Sequence, residues 1–296
     1  MPHPQRSPFR GSGVTTKCKV LITGGNGQLS ADLAQVFDNS DTVILNRETL
    51  DISKAQEVEA ALLHHKPEVV INTAALTDVD ACEGNATQAR LVNSHGPKNL
   101  VTAAQRTGTR VVQISTDYVF DGTLGRPYIE SDMTNPQSIY GQTKLEGELV
   151  MREEDLVIRT SWLCGIHGSN ILKTIIGLAH RERPMSFVSD QIGHPSFTKD
   201  VADTIQQLVE LQAHGIFHVT NQGPVSWYEF AQTVLDLMGR PPNQVTSITT
   251  EELDPPRPAP RPANSVLKNQ ALLAAGLVPP PDFRETLPEL VEALCE

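Results

Sequence analysis

The sequence predicts a doubly wound α/β fold, a parallel sheet covered by helices, followed by a smaller C-terminal domain. Three observations carry this. Short Val/Ile/Leu runs alternate with helical stretches through the first half, a glycine-spaced turn joins the first run to the first helix, and the alternation loosens after Trp162. Apolar runs without polar alternation read as strands buried on both faces. Ligands of such folds lie beyond the C-terminal ends of the strands, where a second domain can close over them.

The elements follow in order. Residues 1–17 contain Pro, Arg and Ser but no apolar core, so they read as a disordered leader and not as a secretory signal. Strands are expected at 19–23, 42–46, 68–72, 110–115 and 156–161, with helices near 28–38, 53–65, 85–107 and 136–152. Ser53 and Gln56 have the spacing of a capping box at the start of the second helix. Beyond Trp162 come helical segments at 171–182 and 198–212, the strand-like "IFHVTN", helical "WYEFAQTVLDLMG" and a proline-rich passage at 254–267. Composition alone reads that passage as an extended linker. The expected division is a dinucleotide-binding Rossmann domain at 18–164 plus about 194–222, and a substrate-binding domain at 165–193 plus 223–296.

A net charge of −11 argues against a nucleic-acid or anionic-membrane surface. No apolar run approaches the roughly 20 residues of a membrane span, so the cytoplasm is the expected location. The four cysteines form no C-x-x-C pair and read as reduced structural thiols.

Chemistry starts in "ITGGNGQLSADL". Gly24 and Gly27 occupy two positions of a G-x-x-G-x-x-G phosphate loop, and the third holds Ser30. The first glycine permits the turn and the second lets backbone approach a pyrophosphate at the helix N-terminus. The third has a packing role, so Ser30, whose hydroxyl can bond a carbonyl one turn back, is expected to leave the phosphate site intact. At the end of the second strand, where an acid would bind a ribose 2′-hydroxyl, stand Asn46, Arg47 and Glu48. An arginine with no acid at the tip suits a 2′-phosphate, which favours NADPH and leaves NADH open.

In "YGQTKLEGE", Tyr140 and Lys144 are four residues apart and share one helix face. A nearby ammonium is expected to lower the tyrosine pKa and fit it to protonate a carbonyl oxygen.

With "GGNGQL", "LDI", "NTAAL", "STDYVFDG", "RTSW", "DQIGHPSFTKDVAD" and "RPANSVL" in this order over residues 19–267, the chain resembles the dTDP-4-dehydrorhamnose reductase family of extended short-chain dehydrogenases/reductases. The resemblance implies NADPH-dependent reduction of the C4 keto group of dTDP-4-dehydro-L-rhamnose. It implies Thr116, Tyr140 and Lys144 as the catalytic set, with Lys144 on the nicotinamide ribose. Gly27, Gln28 and Leu29 would cradle the pyrophosphate, with Gly24 and Asn26 also in the cofactor site, Asp51 and Ile52 would flank adenine, and Ala74, Ala75 and Leu76 would line the cofactor channel. Asn46 and Arg47 complete the implied cofactor set. Asp117 and Trp162 would contact the sugar, and Arg261 would engage the nucleotide part. A homodimer is the family-level expectation, in some members with a bridging metal, although no residues here stand at metal-ligand spacing. Two alternatives stay open: reduction of another nucleotide 4-keto-6-deoxy sugar, and a non-catalytic regulatory subunit similar to the β subunit of methionine adenosyltransferase.

Overall fold

The computed structural model describes residues 19–37 and 41–296; the leader reading at 1–17 lies outside them. The chain runs β1 (Val20–Thr23), α1 (Gln28–Val36), β2 (Thr42–Leu45), α2 (Ala55–His65), β3 (Val69–Asn72), α3 (Val79–Gly84), α4 (Ala86–Arg90) and α5 (Gly96–Thr107). It continues through β4 (Arg110–Thr116), α6 (Ile139–Glu148), β5 (Leu156–Thr160), β6 (Leu163–Cys164), α7 (Ile171–His180), β7 (Met185–Val188), β8 (Ile192–Gly193) and β9 (Ser196–Phe197). Then come α8 (Thr198–Glu210), β10 (Gly215–His218), β11 (Val225–Ser226), α9 (Trp227–Leu237), β12 (Val245–Ile248), α10 (Gln270–Ala274) and α11 (Phe283–Cys295).

Six strands form one parallel sheet in the order β10-β5-β4-β3-β1-β2. The chain leaves β1 toward β2 and returns to β3, so neighbouring connections diverge between β1 and β3, where this architecture opens a ligand crevice. Every residue of β1, β3 and β5 is buried, as unbroken apolar runs require. Leu29 and Leu33 of α1 with Val201, Ile205 and Leu208 of α8 cover one face. Val58 and Leu62 of α2 with Leu100 and Ala104 of α5 cover the other. A buried polar ladder crosses the strand ends: Thr23 Oγ1 donates to Asn72 Oδ1 at 2.6 Å, and Asn72 Nδ2 donates to Gln113 Oε1 at 2.7 Å. Each partner satisfies the next, so the polar atoms sit in the sheet without a desolvation penalty left open.

Three expectations need correction. The capping box at Ser53 does not form: α2 starts later, its N-cap is Lys54 without a side-chain bond, and Ser53 Oγ donates to Asp51 Oδ1 at 2.6 Å. Asp51, two residues back, takes the hydroxyl. The helix expected at 85–107 is interrupted by a π-helical turn at Leu91–His95, and α3 precedes it. The proline-rich passage is no free linker. Ala263 O accepts from Ile192 N and Val266 O accepts from Tyr128 N, both at 2.8 Å, so the chain there bridges two parts of the fold.

A separate core gathers Leu172, Ile175, Phe230, Val234, Phe283 and Leu287 from α7, α9 and α11. Leu272 of α10 packs instead into the core beside the sheet. Cys82, Cys164 and Cys295 are free thiols. No helix among the described residues is long and apolar enough to cross a membrane.

Candidate active site

Gly24 turns the chain out of β1 at φ +73°, and a Cβ there would lie 2.7 Å from Ala74 N and 2.7 Å from Thr73 Oγ1, so only glycine fits. Gly27 N donates to Gly24 O at 2.8 Å and Gly27 caps α1 with extended backbone. No side chain caps this helix and no acid stands in its first turn, so its amide dipole end faces the cleft unneutralised. That is the electrostatic setting an anion needs. Ser30 is fully buried, and its hydroxyl is within bonding distance of Gly24 O (3.0 Å) and Gly27 O (2.7 Å). It braces the turn from behind and is absent from the cleft lining. Gln28 reaches across: Nε2 donates to Leu163 O at 3.1 Å, and Oε1 accepts from Asn170 Nδ2 at 3.3 Å.

The loop after β2 folds as an Asx turn, with Asn46 Oδ1 accepting from Glu48 N at 3.0 Å and Thr49 N at 3.1 Å. Leu45 O accepts from Gly25 N at 3.0 Å, which sets this loop beside the glycine turn. Arg47 is exposed and within electrostatic reach of Asp51. Ile52 is buried in the core between α2 and α5. Asn46, Arg47, Asp51, Ile52 and Leu76 stand outside the cleft lining.

The cleft, about 570 Å³, brings together Gly24, Asn26, Gly27, Gln28, Leu29, Ala74 and Ala75 with Thr116, Asp117, Tyr140, Lys144 and Trp162. Ser138 caps α6 by accepting from Gly141 N at 3.1 Å, fixing where Tyr140 emerges. Burial pushes the Tyr140 hydroxyl well above the ordinary tyrosine value, and its hydrogen bond with Thr116 opposes this only in part. The net shift runs opposite to the lowering expected from the Lys144 ammonium, because burial outweighs it. Lys144 is 4% exposed, its Nζ donates to Ile114 O at 2.5 Å, and burial lowers its pKa to about 8 against the opposing pull of Glu148. Asp117 is fully enclosed and raised to about 6 by burial, against hydrogen bonds from Ser265 Oγ at 2.5 Å and Thr116 Oγ1 at 3.0 Å. Arg261 does not line the cleft: it makes a two-pronged ion pair with Asp80 of α3, at 2.9 and 2.8 Å. A neighbouring acid the motif did not reveal holds this guanidinium.

Three residues beyond the expected set shape the site. Glu148, one turn past Lys144, is clamped by Arg159 of β5 (Nη2 to Oε2, 2.7 Å) and accepts from Ser115 Oγ. Both members are under 5% exposed, so this buried pair fixes α6 against β4 and β5. An arginine inside the apolar run "LVIRTS" was the available signal. Asn93, placed inward by the π-turn, bonds Leu76 both ways: its Oδ1 accepts from Leu76 N at 2.8 Å and its Nδ2 donates to Leu76 O at 3.0 Å. Nothing in the local pattern distinguished it.

A dinucleotide fits this donor set. The uncapped α1 terminus offers the setting a diphosphate needs, and Thr160, whose buried Oγ1 has no hydrogen-bond partner among the described residues, is one of the cleft-lining residues. No group of three or more His, Cys, Asp or Glu is placed to hold a metal ion among the described residues.

The chain is similar to known proteins of one family. The RmlD substrate binding domain pattern matches residues 18–295. The chain is 38% identical over 286 residues to a dTDP-4-dehydrorhamnose reductase of Streptomyces griseus, covering 93% of both chains. Among solved structures, it is similar to a dTDP-4-dehydrorhamnose reductase of Clostridium acetobutylicum, with a TM-score of 0.89 and 40% identity over 94% of this chain and 99% of that one. The Bacillus anthracis enzyme in complex with NADP gives 0.89 and 33%, over 94% and 100%.

Proposed function

The chain belongs to the RmlD substrate binding domain family, and from that premise we propose that it reduces the C4 keto group of dTDP-4-dehydro-L-rhamnose with NADPH, yielding dTDP-L-rhamnose. One observation carries the reading: the phosphate turn and the Thr116, Tyr140 and Lys144 side chains open into a single cleft.

NADPH, when bound, supplies the hydride for sugar C4. The amide end of α1 and the small Gly27 hold the diphosphate, Arg47 meets the 2′-phosphate, and Lys144 holds the nicotinamide ribose. Thr116 holds the keto oxygen. Tyr140 donates its proton to that oxygen as negative charge develops there. A tyrosine hydroxyl, with an ordinary pKa of about 10, is protonated at neutral pH, as a proton donor requires. The Glu148–Arg159 clamp keeps α6 in register, so proton donor and keto oxygen meet without reorganisation. We read 165–193 plus 223–296, α10 excepted, as the substrate-binding part, which brings Trp227 to the cleft. We place the enzyme in the cytoplasm, as a homodimer.

The test is stopped-flow NADPH oxidation with dTDP-4-dehydro-L-rhamnose. Tyr140→Phe removes one hydroxyl and should lower kcat by about 10²–10⁴-fold, with the Kd for NADPH changed by less than about threefold. A wild type that binds NADPH yet reduces no nucleotide 4-ketosugar overturns the reading.

A further inference from the structure

The chain has two tryptophans, and the fold stacks them on each other in the cleft. The rings of Trp162, just beyond β5, and Trp227, the first residue of α9, lie with centroids 3.5 Å apart and planes 10° from parallel. Trp162 is held at φ +45°, a left-handed backbone that a bulky residue adopts only when its surroundings enforce it. Gly193 makes room for the ring: a Cβ there would come within 2.7 Å of it, so only bare backbone can lie against that indole. Trp227 is anchored independently. Ser226 and Glu229 close a capping box around the start of α9, and Phe230, fully buried, meets the Trp227 ring edge-on. The two indoles thus form one rigid apolar wall in a cleft whose polar groups, Thr116 and Tyr140, line it elsewhere.

We infer that Trp227 is a specificity-determining residue: with Trp162 it forms the aromatic wall against which the 6-deoxy sugar ring packs. This rests on the proposed reduction of a nucleotide 4-ketosugar. A deoxyhexose has an apolar C–H face and a methyl group as well as a polar edge. A flat aromatic wall and the hydroxyls of Thr116 and Tyr140 match those two sides. The wall reads the sugar; the glycine turn reads the cofactor phosphates. Without the second indole the wall loses its backing and its area, and the sugar loses packing contact while the cofactor site keeps its groups.

Two measurements test this. In steady-state reduction, Trp227→Ala should raise KM for the nucleotide ketosugar about tenfold, the scale of a lost aromatic contact. In the same variant kcat should fall less than about threefold and the Kd for NADPH should hold within about twofold. Trp227→Phe, which keeps a ring, should restore KM to within about threefold. The second measurement needs no variant. Because both tryptophans stand in the cleft, the chain's whole indole emission reports this wall. Emission should change on titration with dTDP-L-rhamnose and stay unchanged with dTDP. An unaltered KM in Trp227→Ala, or an equal emission response to dTDP, overturns the inference. Were Trp227→Ala to misfold, the wild-type titration and Trp227→Phe decide. A wild type inactive on every nucleotide ketosugar is a different result, since it removes the functional reading itself.

Discussion

At the Tyr140 end of the cleft each group is fixed by a buried neighbour, whereas the loop beyond β2 that carries Asn46 and Arg47 is held by bonds within itself. Lys144 bonds a strand carbonyl, Asp117 is gripped by Ser265 and Thr116, and the Glu148–Arg159 pair locks the helix behind them. The Asn46 turn closes on its own amides, and Arg47 stands exposed beside it. The difference teaches where precision is built in. Proton delivery needs atoms held in place before the reaction, because misplacement costs rate steeply. Recognition of a 2′-phosphate needs only a long cation that can swing onto it, and solvent exposure leaves that arm free.

If the contrast holds, substitutions at the buried end cost most. Lys144→Ala should lower kcat by at least about 10²-fold and weaken NADPH binding in parallel, since the ribose contact and the charge behind Tyr140 go together. The pH dependence gives a sharper form. Burial disfavours the ammonium and brings its pKa from 10.5 to about 8, so the charged form prevails below that pH and is lost above it. The pH profile of kcat/KM should therefore fall as pH rises through about 8. The stability contribution runs the other way. Between about 8 and 10.5 the unfolded chain holds a proton on this lysine that the folded one has released, so this group's share of stability rises with pH there. Loss of activity without a fall in Tm attributable to Lys144 would mark titration of the site and not unfolding.

The exposed end should show a smaller, selective effect. Arg47→Ala should weaken NADPH by about 10- to 100-fold, from the roughly 1.5–3 kcal/mol of a charge-assisted bond, and leave NADH nearly unchanged. Equal losses for both cofactors, read by fluorescence titration, would place Arg47 away from the phosphate. Smallest of all is Ser30→Gly. The hydroxyl braces the turn from inside the core, so the Kd for NADPH should move by less than about threefold. Stability should drop by about 1–2 kcal/mol from the lost bond and the added backbone freedom, visible in urea unfolding. A tightening of NADPH beyond about tenfold would show that the serine obstructs the phosphates.

The sheet was legible because its strands are short apolar runs whose burial on both faces leaves a signature in composition alone. The Tyr140–Lys144 spacing and the Gly24–Gly27 turn were legible for a similar reason: local geometry places those residues, and nothing distant can alter which helix face or turn they occupy. Where another side chain competed for the same group, near in sequence or far, the local signal misled or was silent. Ser53 has the spacing of a cap, but Asp51 takes its hydroxyl. Arg261 is implied by the resemblance to engage the nucleotide part of the substrate, and no local pattern revealed that Asp80, 181 residues away, pairs with its guanidinium.

The alternation of strands and helices, the phosphate turn and the shared face of proton donor and lysine were set by the sequence itself, through backbone sterics and apolar patterning over a few residues. The tertiary structure alone decided the direction of the Tyr140 and Lys144 shifts, the clamp of Glu148 by Arg159 and the meeting of Trp162 with Trp227. Each of these depends on desolvation or on contact between distant segments, and burial is a property of the packed chain that no single stretch carries.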